Sequence, residues 1–266
     1  MQIEKINIKN EIAKITVGDE EKSICYKISV TDLLDGKYSL NQQLSDSDME
    51  VLSEKHLFFY AYSKCLKKLA NSDRSQKEIE GTLKEIKGLN PQQRDRIVTS
   101  LKSMGYLSDQ AVVESQLYVD QTKLLGRKKT KYILEKRGVD KTIADEVLNE
   151  VDISQEIDRG IQKGKKLAKL IKNKSYKEKV QTIRNRLLMD GFENVDDIIS
   201  GLDLQKNEDE ECDSLHKCAL SAVRKYSSRY QGRKLYDSCF KYLITKGYET
   251  DMIKKELEDM EVGNEN

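Results

Sequence analysis

Residues Ile133–Leu148 read ILEKRGVDKTIADEVL, two helix-like stretches on either side of a single glycine. Glycine takes the left-handed conformation that closes a helix and satisfies its last carbonyls, and the apolar residue after it folds back onto the helix just ended. Asp140 then offers a side-chain acceptor to the first free N–H groups of a new helix. A helix stopped and restarted within three residues must turn sharply, as in a helix-turn-helix unit. The same layout occurs at Lys84–Val98 (KEIKGLNPQQRDRIV), Arg186–Leu202 (RLLMDGFENVDDIISGL) and Tyr242–Leu257 (YLITKGYETDMIKKEL). The pivots are Gly88, Gly138, Gly191 and Gly247, spaced by 50, 53 and 56 residues. Leu83, Leu134, Leu187 and Leu243 stand four or five positions before them, and Leu89, Val139, Phe192 and Tyr248 directly after.

A further helix precedes each pair. Phe58, Tyr62, Cys65 and Leu69 make the apolar stripe of one over Val51–Leu69. Ile157, Ile161, Gly164, Ala168 and Ile171 make another over Glu156–Lys172, with Arg159, Lys163, Lys166 and Lys169 on its other side. Ser75-x-x-Glu78 and Ser175-x-x-Glu178 are spaced as capping boxes that open the middle helices. The expected fold is therefore mainly α, with tandem three-helix repeats over 49–107, 108–152, 153–204 and 205–262 and a tail at 263–266. Such repeats stack into an elongated, curved molecule. Only 37% of the chain is hydrophobic and 35% is charged, with four Phe, no Trp and one Pro, which suits thin helical layers better than one thick core. Residues 1–48 differ. Ile3 to Ile8, Ile12 to Val17 and Ile24 to Val30 are β-branched runs broken at Asn10 and at Gly18–Glu21, the pattern of a small antiparallel sheet with a turn near Asp35-Gly36.

Several function classes lack their residues. No apolar run is long enough to span a bilayer, and the first ten residues lack the apolar block of a signal peptide. Five scattered cysteines without a Cys-x-x-Cys pair suit reduced thiols in a cytoplasm, and His56 and His216 lie outside metal-ligand spacings. There is no phosphate-loop or dinucleotide motif. No catalytic set converges, so the expectation is a non-enzyme without cofactor or metal. Gly126-Arg-Lys-Lys opens a helix and suits either phosphate binding at its N–H groups or an ordinary helix start. The 13 tyrosines, among them Tyr60, Tyr62 and Tyr132 at or beside apolar stripes, are assigned to packing, since no aromatic set within a basic groove can be placed from the sequence.

Net charge is +1, yet the charges are segregated. Residues 159–186 hold eleven Lys or Arg against Glu178, and 123–137 hold seven against Glu135. Five acids fall within Glu208–Asp213, and seven follow between Glu249 and the end. Such segregation suits polyanionic or acidic partners and equally suits solvated lysine-rich helices.

Three segments in order resemble one family. Ser72–Ile86 (SDRSQKEIEGTLKEI), Met104–Val119 (MGYLSDQAVVESQLYV) and Gly126–Asp140 (GRKKTKYILEKRGVD) are similar to successive signatures of RecX proteins. Arg74, Ser75 and Glu78 match the first, Gly105, Tyr106, Leu107 and Asp109 the second, and Gly126, Lys128, Lys129 and Gly138 the third. Ser72, Arg127 and Arg137 stand where the family commonly has Arg, Pro and Lys. The resemblance covers about residues 50 to 260, and the strand-like extension is similar to the longer members from Firmicutes-type bacteria. It implies a cytoplasmic, monomeric regulator of DNA repair and recombination that binds RecA and its single-stranded DNA filament. It also implies modulation of filament extension, ATP hydrolysis and strand exchange, with inhibition as the expected sign, and weak direct contact with DNA. The residues expected to carry these contacts are Arg74, Arg127, Lys128, Lys129 and Lys131, with Lys163, Lys166 and Lys169 as a second patch, acting as position-setting charges. The alternative is a helix-turn-helix regulator that reads DNA sequence. Only the helix after Gly88, starting Asn90-Pro91-Gln92-Gln93-Arg94, has the residue types for that task.

Overall fold

The computed structural model describes residues 1–19 and 22–263, so Glu20, Glu21 and the last three tail residues lie outside the described part. The chain falls into two compact units, one of Met1–Ser115 with Leu134–Ala144, the other of Gln116–Ile133 with Asp145–Asn266.

The first unit opens with a three-stranded antiparallel meander, β1 (Gln2–Lys9), β2 (Ile12–Gly18) and β3 (Ser23–Ser29). Asn10 and Glu11, both at positive φ (47° and 62°), form the tight turn that matches strand twist between β1 and β2. Alternation sends Ile3, Ala13, Ile15, Val17, Tyr26 and Ile28 to one buried face, which packs with Leu33, Leu44 and Leu52. The third β-branched run stops one residue sooner than expected. Ser29 accepts a hydrogen bond from the Asp32 N–H and starts a short helix, α1 (Val30–Asp35), so a helix rather than a strand leads to Gly36. Then come α2 (Asp46–Asn71), α3 (Gln76–Lys84) and α4 (Pro91–Ser103), whose buried faces meet at Ala61, Cys65, Ile79, Leu83, Ile97 and Leu101.

The remaining helices are α5 (Asp109–Thr122), α6 (Arg127–Arg137), α7 (Lys141–Asn149), α8 (Ile153–Leu170), α9 (Tyr176–Met189), α10 (Val195–Gly201), α11 (Glu208–Tyr226), α12 (Gly232–Thr245) and α13 (Thr250–Asp259). Ile183, Leu187, Phe192, Ile198 and Leu202 centre one core of the second unit, and Leu215, Ala219, Cys239, Leu243, Ile253 and Leu257 another. Among the described residues no helix is long and apolar enough to cross a membrane.

All four pivot glycines have positive φ, from 76° to 87°. At three of them the closure is the same. Val139, Phe192 and Tyr248 donate their N–H groups to the carbonyls of Leu134, Leu187 and Leu243, five residues back, while Gly138, Gly191 and Gly247 donate to carbonyls three back. The leucine four before each glycine is thus the acceptor that the cap requires. At Gly88 the leucine is five back, and the closure changes accordingly. α3 ends at Lys84, Ile86 donates to the Leu83 carbonyl, and Leu89 donates to the Ile86 carbonyl. The helix therefore stops four residues before that glycine instead of at it. Asn90 and Gln93 make a reciprocal capping box at the start of α4, with Pro91 at the first helical position. Ser75 and Glu78 make the expected box, whereas Ser175 accepts from the Glu178 N–H without the return bond, because the Glu178 carboxylate is turned to lysines.

Gly191 is constrained twice. A Cβ there would collide with the backbone N–H of Lys129 as well as strain the left-handed backbone, whereas at Gly88 it would meet only the tip of Leu57, at 3.3 Å. Left-handed strain costs about 1–2 kcal/mol and overpacking about 1–3 kcal/mol. Gly191→Ala is therefore expected to lose roughly 3 kcal/mol and Gly88→Ala roughly 1 kcal/mol, read from urea unfolding midpoints. Equal losses at the two sites would refute the close approach as the cause.

Candidate functional site

The start of a middle helix lies against the glycine corner of a later helix pair three times over. The hydroxyl of Ser75, which opens α3, donates to the Arg137 carbonyl just before Gly138. Gly126, which opens α6, donates its N–H to the Asp190 carbonyl at 2.9 Å, and Lys128 donates to the Gly191 carbonyl at 3.1 Å. Ser175, which opens α9, donates to the Lys246 carbonyl at 2.5 Å, beside Gly247. Each contact satisfies a carbonyl left over at a helix end with a donor at a helix start.

Charges reinforce these seats. Glu78 holds the guanidinium of Arg137 at 3.0 Å and that of Arg74 at 3.3 Å. Glu178 holds the ammonium groups of Lys174 and Lys246 at 3.2 and 3.4 Å. At the α6 seat the signs are exchanged. The helix start carries Arg127, Lys128 and Lys129, and the corner carries Asp190, itself paired with Lys163 at 3.2 Å and Arg186 at 3.4 Å.

A second carboxylate serves the helix starts from outside. Glu156, 2% exposed, accepts from the Arg127 N–H at 3.0 Å and faces the Arg127 guanidinium at 2.6 Å, an ion pair off the line of a hydrogen bond. The buried Glu211 accepts from the Tyr176 N–H at 2.7 Å, at the start of α9. The anion favoured at those helix N-termini is thus a side chain of the protein. The N–H groups of Gly126, Arg127 and Lys128 all have protein acceptors, so this helix start is an ordinary one and has no vacancy for phosphate. Sequence reading missed both glutamates, although each stands four residues after its helix's N-cap, Asp152 or Asn207.

Placement of the expected contact residues follows from these pairs. Arg127 is largely buried between Glu156 and Glu193, and so is not a surface cation. Arg74 pairs with Glu78, Lys131 with Asp145 at 2.5 Å, and Lys163 with Asp190. Lys128 is 68% exposed beside Glu193, and Lys129 lies over the Tyr132 ring at 5.6 Å. Lys166 and Lys169 are exposed on α8 and enter none of these ion pairs. Lys169 lines a cleft of about 620 Å³ between α8, α9 and the start of α11, where Lys165, Lys172, Lys174, Lys179 and Lys217 share the wall with Glu210, Glu211 and Asp213. Two tyrosines assigned to packing are half exposed, Tyr60 at 51% and Tyr132 at 48%, because each lies at the edge of a narrow apolar stripe. Among the described residues no group of three His, Cys, Asp or Glu is placed to hold a metal ion.

Burial pushes the Arg159 guanidinium down, with Glu156 opposing and Arg127 adding to the shift. Burial likewise raises the Tyr248 hydroxyl to about 12 against its hydrogen bond with Ser214. For Glu78 burial alone would raise the carboxyl, but the Ser75 N–H and the guanidinium groups of Arg137 and Arg74 outweigh it and hold it below the usual range. A depressed folded pKa stabilises the fold above the unfolded pKa, and that contribution is lost as pH falls through the folded value. Glu78→Gln is therefore expected to cost roughly 1–2 kcal/mol at neutral pH and to flatten the loss of stability below about pH 4.3. An acid limb identical to the parent's in urea melts would sink this assignment. Arg127→Met leaves Glu156 buried without its cation and is expected to cost about 3 kcal/mol or more, with part recovered by adding Glu156→Gln. A single Arg127→Met variant as stable as the parent would place that guanidinium outside the frame.

No family model matches the chain. Individual relatives do, over nearly its whole length. A regulatory protein RecX from Streptococcus equi subsp. equi is 26% identical over 97% of this chain and 99% of its own. One from Streptococcus gordonii is 23% identical over the same shares. One from Enterococcus faecalis is 24% identical over 96% of this chain and 95% of its own. A crystal structure of regulatory protein RecX shares the fold, with a TM-score of 0.57 at 19% identity over 75% of this chain and 98% of that one. The crystal structure of RecX from Lactobacillus salivarius matches with a TM-score of 0.50 at 27% identity, over 56% of this chain and 98% of that one. The chain is thus similar from end to end to relatives named regulatory protein RecX, and it shares its fold with RecX crystal structures.

Proposed function

We propose that the chain regulates RecA by binding the RecA–single-stranded DNA filament, and that it restrains filament extension, ATP hydrolysis and strand exchange. The reading is of a cytoplasmic, monomeric, non-catalytic protein of four three-helix repeats, working without cofactor or metal. One observation carries the contact surface. Once the internal ion pairs are assigned, Lys166 and Lys169 on α8 and Lys128 at the start of α6 are the exposed members of the two expected patches, Lys169 on the wall of a cleft that mixes lysines with acids. The Lys128–Glu193 pair is a surface pair, worth about 0–1 kcal/mol, so a phosphate or filament carboxylate can displace it. Lys129 stands beside Lys128 with its ammonium over a tyrosine. Arg74, Arg127, Lys131 and Lys163 serve the frame in this reading.

The helix-turn-helix alternative loses its best element. On α4, Asn90 and Gln93 are spent on each other's backbone, and an Arg94 guanidinium N–H donates to the Leu89 carbonyl at 2.7 Å. Direct readout needs such groups turned outward to base edges.

The test adds purified protein to preformed RecA filaments on single-stranded DNA and follows ATP turnover and filament length together. The parent is expected to lower both. Lys166→Glu with Lys169→Glu, and separately Lys128→Glu with Lys129→Glu, are expected to weaken the effect about tenfold or more in protein concentration, and more so at low salt. Full inhibition by folded variants of both kinds would discard the lysine surface. A parent protein that leaves turnover and length unchanged would discard RecA regulation itself.

A further inference from the structure

The three-stranded sheet has a second face that the core of the first unit does not use. Strand alternation places Lys5, Lys9, Lys14 and Lys27 on that face, all exposed. Lys14 is the register partner of Lys27 on β3, and Lys5 and Lys9 stand at its two diagonals on β1. The Lys27 N–H points away from β2 and donates to His56 Nδ1 at 2.9 Å. Lys14 and Lys27 are therefore a non-hydrogen-bonded pair, the kind with the closer side chains. Like charges held directly opposite destabilise a sheet. Among the described residues none of the four lysines enters an ion pair. Within the strands one carboxylate reaches this face, that of Glu4, and it lies over Gly18 at the end away from the Asn10–Glu11 turn.

The two edges of the sheet are treated differently. β3 lies along α2, which supplies His56 to its backbone. β1 is covered only at its start, where Ile3 exchanges backbone hydrogen bonds with Asn41 and Gln42 at 2.9 and 3.0 Å. Counting back from the Lys9–Ile12 pair that closes the two-residue turn, the N–H and C=O groups of Ile8 and Ile6 point away from β2. Among the described residues these groups have no partner. On the core-facing side Ile8 is 59% exposed, apolar surface left beyond the rim of the core, with Ile6 partly buried beside it. The open edge thus combines unpaired backbone groups with lysines on one side and isoleucine on the other. Lysines along an edge strand keep it from pairing with a second copy of itself, where lysine would meet lysine, and they favour an acidic strand. A nucleic acid would meet the cations alone, since that face has no aromatic ring for its bases and the backbone edge would stay unused.

We infer that the open edge of β1 is a docking site for an extended acidic segment of a partner protein, which adds to the sheet as a fourth strand. The backbone of the segment pairs with Ile6 and Ile8. Its carboxylates, at every second position, meet Lys5 and Lys9 with Lys14 behind them, and the apolar residues between cover Ile8. The site lies in the first unit, apart from the lysines of α6 and α8, and does not depend on what those lysines bind.

The test uses the full chain and a fluorescein-labelled peptide of about ten residues that alternates glutamate and valine, read by anisotropy and by hydrogen exchange at the backbone amides. The peptide is expected to bind and to slow exchange at Ile6 and Ile8. A peptide of the same composition in two blocks, and an alternating peptide N-methylated along its pairing edge, are each expected to bind about tenfold or more weakly. Lys5→Glu with Lys9→Glu is expected to weaken the alternating peptide about tenfold or more, at an unchanged or higher urea midpoint because each new carboxylate stands diagonal to Lys14. Ile8→Pro removes an N–H that β2 does not use, and is expected to abolish both binding and protection. No binding of the alternating peptide, equal binding of the block or N-methylated peptide, or parent affinity in the Lys5→Glu, Lys9→Glu variant would each overturn the inference. An oligo(dT) strand that binds this face in place of the peptide, with exchange at Ile6 and Ile8 unslowed, would assign the lysines to phosphates and overturn it as well.

Discussion

Everything else in the helical part depends on how closely a helix start can approach a glycine corner. At Gly191 the amide of Lys129 occupies the space of a Cβ, and at Gly247 the hydroxyl of Ser175 and the Cβ of Lys177 come within about 3 Å of where one would stand. At that range a free N–H or hydroxyl at the head of one helix reaches a free carbonyl at the tail of another. The exchange settles buried backbone groups that would otherwise each cost more than a typical hydrogen bond contributes. The glycine therefore does two tasks with one missing carbon, closing its own helix and admitting a neighbour.

That contact also explains where the charge went. Counting lysines and arginines along the sequence suggests long uninterrupted cationic surfaces, yet Arg127, Arg137, Lys163 and Lys246 are tied to Glu156, Glu78, Asp190 and Glu178. Partly buried pairs of this kind set geometry more than they add net stability, because desolvation offsets much of their attraction. What remains at the surface is a smaller set of lysines. The segregation of charge in the sequence thus reflects internal wiring as much as any external ligand.

Legibility in the sequence tracked distance along the chain. Helix closure at Gly138, Gly191 and Gly247 is settled within six residues, so leucine, glycine and the next apolar residue suffice to read it, and even the exception at Gly88 is visible in Leu83 standing one place too far back. The end of the third strand was harder, since Ile24 to Val30 is β-branched throughout and only the Ser29–Asp32 bond turns Val30 into a helix. From the sequence alone Arg127 reads as a surface cation, because its partners lie 29 and 66 residues away. Glu156 and Glu211 were within reach, since an acid at a fixed offset from two successive N-caps is a pattern a careful reader can find.

The reversal of sign at the α6 seat bears on how the chain finds its own order. Were the cationic head of α6 to dock on the Lys246-Gly247 corner, ammonium would face guanidinium and ammonium. Were the head of α9, with Glu178, to dock on the Asp190-Gly191 corner, carboxylate would face carboxylate. Two seats built from the same backbone contact are thereby made non-interchangeable. A chain of look-alike segments gains an address label at each junction, which steers a folding intermediate away from skipping a segment or borrowing one from a neighbouring molecule.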